Sequence, residues 1–391
     1  MIPRYIPSYG LREAASAFSI GDDGDALQKL FGARKSFFFD SGSEGLCMAL
    51  KGLGLKGRVL LSSYTCIKVP EAILSAGCEP VFADLESDGA SFDPAVLADF
   101  DEGELCAIIV THLWGFSVDV GKILQEARRI GAIVIEDCAL SLGSSMGDRM
   151  VGMSGSLAVF SFGRGKTLNL GGGGALVVND PSLADTLMDY FGPERNREVA
   201  TLKEKVKTVL LAREMWAAYF PWLSYLKYLR QGSWLWERGI TSPQAMNCSS
   251  GPGASVFLDL LASVDAGSIL EHKRKISELY RFGIAERPGV RSFIRSEDAV
   301  CICPAYPLIV QGRGEFFRYL RQRGVDCGLS FSYSAGKVCS GEMYPEAERI
   351  AESIVTLPVH ENVTEEKALK IIGLVNGWGP RATRAGMDEK W

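Results

Sequence analysis

The sequence predicts an α/β fold around a mostly parallel sheet, and three observations coincide to predict it. Short β-rich runs alternate with helical patterns between residues 35 and 180. The composition, 47% hydrophobic and 23% charged, suits an ordered chain that buries a sizeable core. At 391 residues, the chain exceeds the length at which a single core usually stops growing, so one large and one smaller domain are expected.

The strands read in order as "GRVLLSS" (57–63), "EPVFADL" (79–85), "LCAIIVTHLW" (105–114), "GAIVIEDC" (131–138), "LAVFSFG" (157–163) and "GALVVND" (174–180). Between them "SEGLCMALKGLG", "KVPEAILSAG", "DPAVLADF" and "DVGKILQEARRIG" read as helices, several closed by a glycine where a left-handed residue is wanted. After Asp185 the character changes. Residues 206–239 hold Trp216, Trp222, Trp234 and Trp236 in an amphipathic insertion, interrupted by Arg213, Glu214 and Pro221 and so unsuited to spanning a membrane. A subunit or domain contact is the first reading of this insertion. A peripheral membrane or lipid-linked contact is the second.

From 255 to 282 the pattern is one long helix, followed by a strand in "AVCICPAYPLIVQ", a helix in "GEFFRYLRQRGV" and a last helix in "TEEKALKIIGLVNGW". The expected division is an N-terminal segment and large domain over 1–250, with the insertion at about 205–240. A linking helix and small α+β domain follow over 251–378, and then a loose tail over 379–391.

Charge and cysteine content narrow the chemistry. A net charge of −5 argues against nucleic acid, which needs a basic face. Ten cysteines lie scattered, many in apolar segments (Cys47, Cys78, Cys106, Cys301, Cys303), with no CxxC pair and three histidines in the chain, a poor pattern for zinc or any other metal. The start "MIPRYIPSYG" lacks an apolar leader, and free thiols fit a reducing, cytoplasmic setting.

The stretch "SFGRGKTLNLGGGGALVVND" (161–180) raises three chemistries. A phosphate-binding P-loop fails on spacing, because Phe160 stands where the opening glycine belongs. A dinucleotide fingerprint fails because a strand and not a helix follows the glycines. A reactive lysine remains. Lys166 lies past the end of one strand and Asp137 at the end of another, in the crevice where open α/β sheets bind ligands. An amine and a carboxylate facing one ligand are the two groups that pyridoxal 5′-phosphate (PLP) chemistry requires, although an isolated pair of this kind is more often structural. "SGS" (41–43) offers an anion site at a helix start, and a capping box of Ser41 and Glu44 explains the same residues without a ligand.

In this order the features resemble the DegT/DnrJ/StrS family of sugar aminotransferases, PLP enzymes of the aspartate aminotransferase-like fold type I. "SGSEGLCMALKGLGL" is similar to the family's SGT-x-AL segment, and "CEPVFADLESDGASFDPAVL" to G-x-x-P-V-F-x-D. "VTHLWGFSVDV" is similar to H-L-Y-G, "IEDCALSLGS" to E-D-x-A-Q-A, and "FSFGRGKTLNLGGGGALVV" to S-F-x-x-x-K with its GEGG run. The closing segment through "LPVHENVTEE" is similar to one ending in L-P-x-H. The resemblance implies a seven-stranded sheet in a large PLP-binding domain, and Lys166 as the Schiff-base lysine and base. Asp137 would partner the pyridine nitrogen. Gly42, Ser43 and Ser161 would hold the phosphate, and Asn247 would reach the phosphate of a neighbouring subunit in a homodimer. The implied reaction moves an amino group from an amino acid such as glutamate to a keto-sugar nucleotide or related ketone.

The chain also departs from that pattern. Leu140 replaces a Gln or His at the cofactor, and Cys66 replaces an aromatic that stacks on the ring. Gly172 replaces the acid of GEGG, Ser249 replaces an Arg, and "LSFSYS" (329–334) lacks a histidine. These changes keep two alternatives open: elimination or dehydration on the same cofactor, and a catalytically degenerate scaffold or regulator.

Overall fold

The computed structural model describes residues 1–17, 25–32, 35–87, 91–192, 202–213, 255–293, 299–329 and 331–379. Seven strands form the main sheet: β1 (Lys35–Phe39), β2 (Gly57–Ser62), β3 (Cys78–Ala83), β4 (Leu105–Thr111), β5 (Ile133–Asp137), β8 (Leu157–Ser161) and β9 (Gly174–Val178). Their order is β1-β9-β8-β5-β4-β2-β3. β2, β3, β4, β5 and β8 pair in parallel, and β9 runs antiparallel to both β8 and β1. The mostly parallel, seven-stranded sheet is thus as expected.

Period-two alternation explains why both faces of these strands are apolar. Phe37, Phe39, Val59, Leu61, Ile109, Val159 and Leu176 pack with the helices Gly42–Gly52, Lys68–Ser75 and Pro181–Phe191. On the other face Phe38, Ala158, Phe160 and Val177 pack with Leu27, Leu258 and Leu260, while Leu60, Ile108 and Val110 pack with Ile123 and Ile130. The second of these clusters runs on without a break into Tyr280, Tyr306, Leu308 and Leu357 of the C-terminal segment. That segment carries an antiparallel sheet of β10 (Val290–Ser292), β12 (Ala305–Val310) and β13 (Ile354–Pro358). A third sheet joins β11 (Ala299–Val300), β6 (Ser145–Met146) and β7 (Arg149–Met150).

Four local expectations are corrected. The long helix is two, Ser255–Ser263 and Ala266–Gly283, because Asp265 caps the second by accepting from Ser268 N. The run 299–311 is two strands in different sheets, parted where Ile302 N and Cys303 N donate to Ser144 Oγ and Ser277 Oγ and not to a neighbouring strand. "DPAVLADF" forms a short 3₁₀ turn, Pro94–Asp99, with Asp93 as its cap. β4 ends at Thr111, and the chain turns at Trp114 with φ 56°.

Cys78, Cys301 and Cys303 are buried free thiols and Cys106 is half-buried, whereas Cys47 is disulfide-bonded, a departure from the free-thiol expectation. Among the described residues no helix is long and apolar enough to cross a membrane. The tryptophans at 216, 222, 234 and 236, together with Asn247 and Ser249, lie outside the described residues.

Candidate active site

Four neighbouring strands, β8, β5, β4 and β2, direct their C-terminal ends at one small cavity. Lys166, Asp137, Thr65, Cys66, Leu140 and Phe331 line it. Sequence position alone had joined Lys166 to Asp137, and the fold brings them into the same crevice. Cys66 and Leu140 line the same walls.

Asp137 closes β5, is 8% exposed, and accepts a hydrogen bond from Ala139 N at 3.1 Å. Burial pushes its carboxyl above the usual range, and the positive charge of Lys166 pulls it back down. Lys166 is half-buried, and its ammonium makes no hydrogen bond or ion pair among the described residues. Burial also pushes the Cys66 thiol up, against the pull of Lys166. A short turn places the lysine, with Lys166 N donating to Gly163 O at 3.2 Å and Leu170 N to Phe162 O at 2.8 Å.

Gly42 and Ser43 open the eleven-residue helix Gly42–Gly52. Ser41 is its cap, accepting from Glu44 N at 3.2 Å, while the Glu44 carboxylate reaches back to Asp40 N at 3.1 Å. Only half of the capping box forms, because Glu44 takes the amide before the cap and not that of Ser41, and the Ser41 hydroxyl also lies 3.2 Å from the Ser43 hydroxyl. A Cβ at Gly42 would come within 2.9 Å of Phe160 O and 3.2 Å of the Ser161 Cβ. The helix start and the end of β8 are thus one place, and Gly42, Ser43 and Ser161 converge there.

The glycine run is a tight backbone passage. Gly171 and Gly173 have φ of 88° and 91°, which favour glycine, and a Cβ at Gly174 would meet Gly42 N at 2.3 Å. Phe257 covers Gly172: a Cβ there would lie 2.4 Å from its ring.

Several residues that matter here carry no chemistry legible in the sequence. Asn169 ties the N-terminal segment to the lysine loop, donating from Nδ2 to Ile6 O at 2.8 Å and from N to Ser8 Oγ at 3.0 Å. His112 and Glu136, both 1% exposed, lie with Cys138 close enough together to hold a metal ion. Their atoms are already occupied. Glu136 Oε2 accepts from His112 Nε2 and Gly152 N, its Oε1 accepts from Ser154 N and Gly155 N, and His112 Nδ1 accepts from Val118 N. The cluster is a hydrogen-bonded brace on the opposite face of β5 from Asp137. Only the alternation of Glu136 and Asp137 along a strand could have separated the two roles beforehand.

Residues 24–210 match the DegT/DnrJ/EryC1/StrS aminotransferase family. The chain is 34% identical to a pleiotropic regulatory protein of Geobacillus stearothermophilus, over 85% of this chain and 82% of that one. It is 25% identical to dTDP-3-amino-3,4,6-trideoxy-alpha-D-glucose transaminase of Streptomyces venezuelae, over 88% and 83% respectively. The fold is similar to that of the aminotransferase TlmJ from Streptoalloteichus hindustanus, with a TM-score of 0.72 at 22% identity, over 96% of this chain and 98% of that one. With the lysine, the carboxylate and the helix start assembled at the strand ends, the chain belongs to the DegT/DnrJ/EryC1/StrS aminotransferase family.

Proposed function

We propose that this aminotransferase uses PLP to move an amino group from an amino acid such as glutamate to a keto-sugar nucleotide or related ketone, in sugar or polysaccharide biosynthesis. One observation carries the reading. An amine without an ion-pair partner among the described residues, Lys166, and a buried carboxyl, Asp137, come from separate strand ends into one cavity. The substrate class follows the Streptomyces venezuelae relative, whose name is that of a nucleotide-sugar transaminase. A homodimer with shared sites is part of the same proposal, with Asn247 serving the neighbouring subunit and the insertion at 206–239 at a subunit contact or a peripheral membrane or lipid-linked one. So is a cytoplasmic setting.

The residues present fit the cofactor. The backbone approach of Gly42 to Ser161 leaves a cradle that a side chain at 42 would fill, at a helix start whose amides favour an anion. Gly42, Ser43 and Ser161 would hold the phosphate. Lys166 would hold the cofactor covalently and carry a proton to and from the substrate carbon, and Asp137 would keep a proton on the ring nitrogen. Bound there, PLP supplies an electron sink for the substrate carbanion. Cys66 and Leu140 would flank the ring without adding charge.

Borohydride reduction of the protein supplied with PLP should fix the cofactor on Lys166. Lys166→Ala should abolish both the visible absorbance and turnover, and glutamate should bleach the visible band of the wild type. Protein that develops no visible band with PLP would overturn the reading.

A further inference from the structure

The strand ends at the cavity follow one another in the order β8, β5, β4, β2. Thr111, the last residue of β4, is the register partner of Asp137, the last residue of β5. Asp137 pairs in turn with Val159, two residues before Ser161 at the end of β8. Residues in register, and residues two apart along one strand, share a face of the sheet. One face therefore carries Ser161, Asp137 and Thr111 on three neighbouring strands about 4.8 Å apart, with the carboxyl in the middle.

Thr111 is 7% exposed, and Thr65, just past the end of β2, is fully buried. Both line the cavity with Lys166 and Asp137. Their hydroxyls share a hydrogen bond at 3.5 Å, and neither makes another among the described residues. Two hydroxyls carry two hydrogens and that bond uses one, so one O–H remains for a ligand. No other side chain of the lining offers a comparable group: Leu113, Leu140 and Phe331 are apolar, and the Cys66 thiol is a weak donor. The Tyr64 hydroxyl and Trp114 Nε1 also lack partners, but these residues pack on Phe331 and do not line the cavity.

PLP is asymmetric about the line from its ring nitrogen to its reacting carbon, with the phosphate arm on one flank and the ring hydroxyl on the other. With the nitrogen at Asp137 and the phosphate on the Ser161 side, the hydroxyl flank faces β4, where Thr111 stands. We propose that Thr111, supported by Thr65, is a cofactor-binding residue that donates its O–H to the ring hydroxyl oxygen. The inference rests on the PLP reading above. A donor at this place stabilises the ionised ring oxygen and loosens its hold on the proton that it shares with the Lys166 nitrogen, so that proton leaves at a lower pH.

PLP and its 3-deoxy analogue, which lacks the ring hydroxyl, test the proposal on wild type, Thr111→Val and Thr111→Ser. Val keeps the shape and removes the hydroxyl, whereas Ser keeps the hydroxyl. Wild type should bind PLP in preference to the analogue, Thr111→Val should lower that preference about 5-fold or more, and Thr111→Ser should retain it. Because the ratio is taken within one protein, losses of folding cancel, and Thr111→Ala serves in place of Thr111→Val if the latter does not fold. A pH titration of the visible band supplies a second readout. Its midpoint should rise by about one pH unit in Thr111→Val and stay in place in Thr111→Ser. Asp137, Lys166 and Cys66, the other titratable groups around the cavity, are the same in all of these proteins. An equal preference in wild type and Thr111→Val, or an equal midpoint, would overturn the role of Thr111. If wild type develops no visible band with PLP, the underlying cofactor reading fails. If the band forms with one midpoint in wild type and Thr111→Val, only the inference about Thr111 falls.

Discussion

His112 Nε2 donates to Glu136 Oε2 at 2.9 Å, and this buried pair fixes the end of the strand that carries Asp137. Because His112 Nδ1 accepts from Val118 N, Nε2 must carry the proton, and the carboxylate receives a defined hydrogen bond. Burial pushes the Glu136 carboxyl up, but the His112 contact and the amides of Gly155 and Gly152 outweigh it and hold it below the usual range. A carboxyl lowered in the folded state contributes stability above its unfolded pKa and loses that stability as pH falls through the folded value. Glu136→Gln places an amide among donors and should cost about 3 kcal/mol at neutral pH. It should also remove part of the acid sensitivity below the ordinary carboxylate range. Urea titrations of both proteins across pH check both outcomes.

Asp84 ends the "PVFAD" run and ties the main sheet to a distant helix. Its Oδ1 accepts from Ala347 N and its Oδ2 from Glu346 N, both at 3.0 Å, and Oδ1 also accepts from Ser63 Oγ at 3.1 Å. These are orphan amides at the start of the helix Pro345–Ser353, so the carboxylate serves as a cap supplied from elsewhere in the chain. Asp84→Ala should cost about 1–2 kcal/mol in thermal or denaturant unfolding. Asp84→Asn, which keeps one acceptor, should cost less.

Much of this architecture was legible in sequence because the main-sheet strands are apolar on both faces and bounded by turns, as at "GRVLLSS" and "GAIVIEDC". The site was legible to the extent that two strand ends carried a lysine and an aspartate. Roles set by distant partners were not. Nothing near Asp84 points to residues 346 and 347, and nothing near Lys166 points to Phe331, whose place follows from Trp114 and Tyr64. The capping box and the anion site at Ser41–Ser43 could not be told apart in sequence, because both use one helix start.

Gly172 and Phe257 form a packing pair that accounts for the missing acid of the glycine run. Any Cβ at 172 would lie 2.4 Å from the Phe257 ring and 2.6 Å from a second ring carbon. Gly172→Glu should destabilise the protein by about 1–3 kcal/mol through overpacking. Adding Phe257→Ala opens space for the new side chain, so the double variant should be more stable than the sum of the two single changes predicts. A double-mutant cycle in denaturant measures this coupling, which should reach about 0.5 kcal/mol or more.

His360 of "LPVHENV" supplies the acid switch most directly read from the structure. Its Nε2 donates to Pro3 O at 2.9 Å and its Nδ1 accepts from Asn362 N at 3.2 Å, so both ring nitrogens are used by the neutral form. Protonation at Nδ1 would break the second bond and place a charge in a site only 1% exposed. Burial lowers the imidazole pKa to about 4, against an ordinary value of 6.5. The folded state thus binds fewer protons than the unfolded chain between these values. Stability is fully present above pH 6.5 and is lost as pH falls toward 4, by about 3 kcal/mol for this group. His360→Asn keeps a side-chain donor but does not titrate. It should be less stable than wild type at pH 7, and its stability should change less between pH 6.5 and 4. Denaturant midpoints over that range measure both slopes, and equal slopes would remove His360 from the acid response.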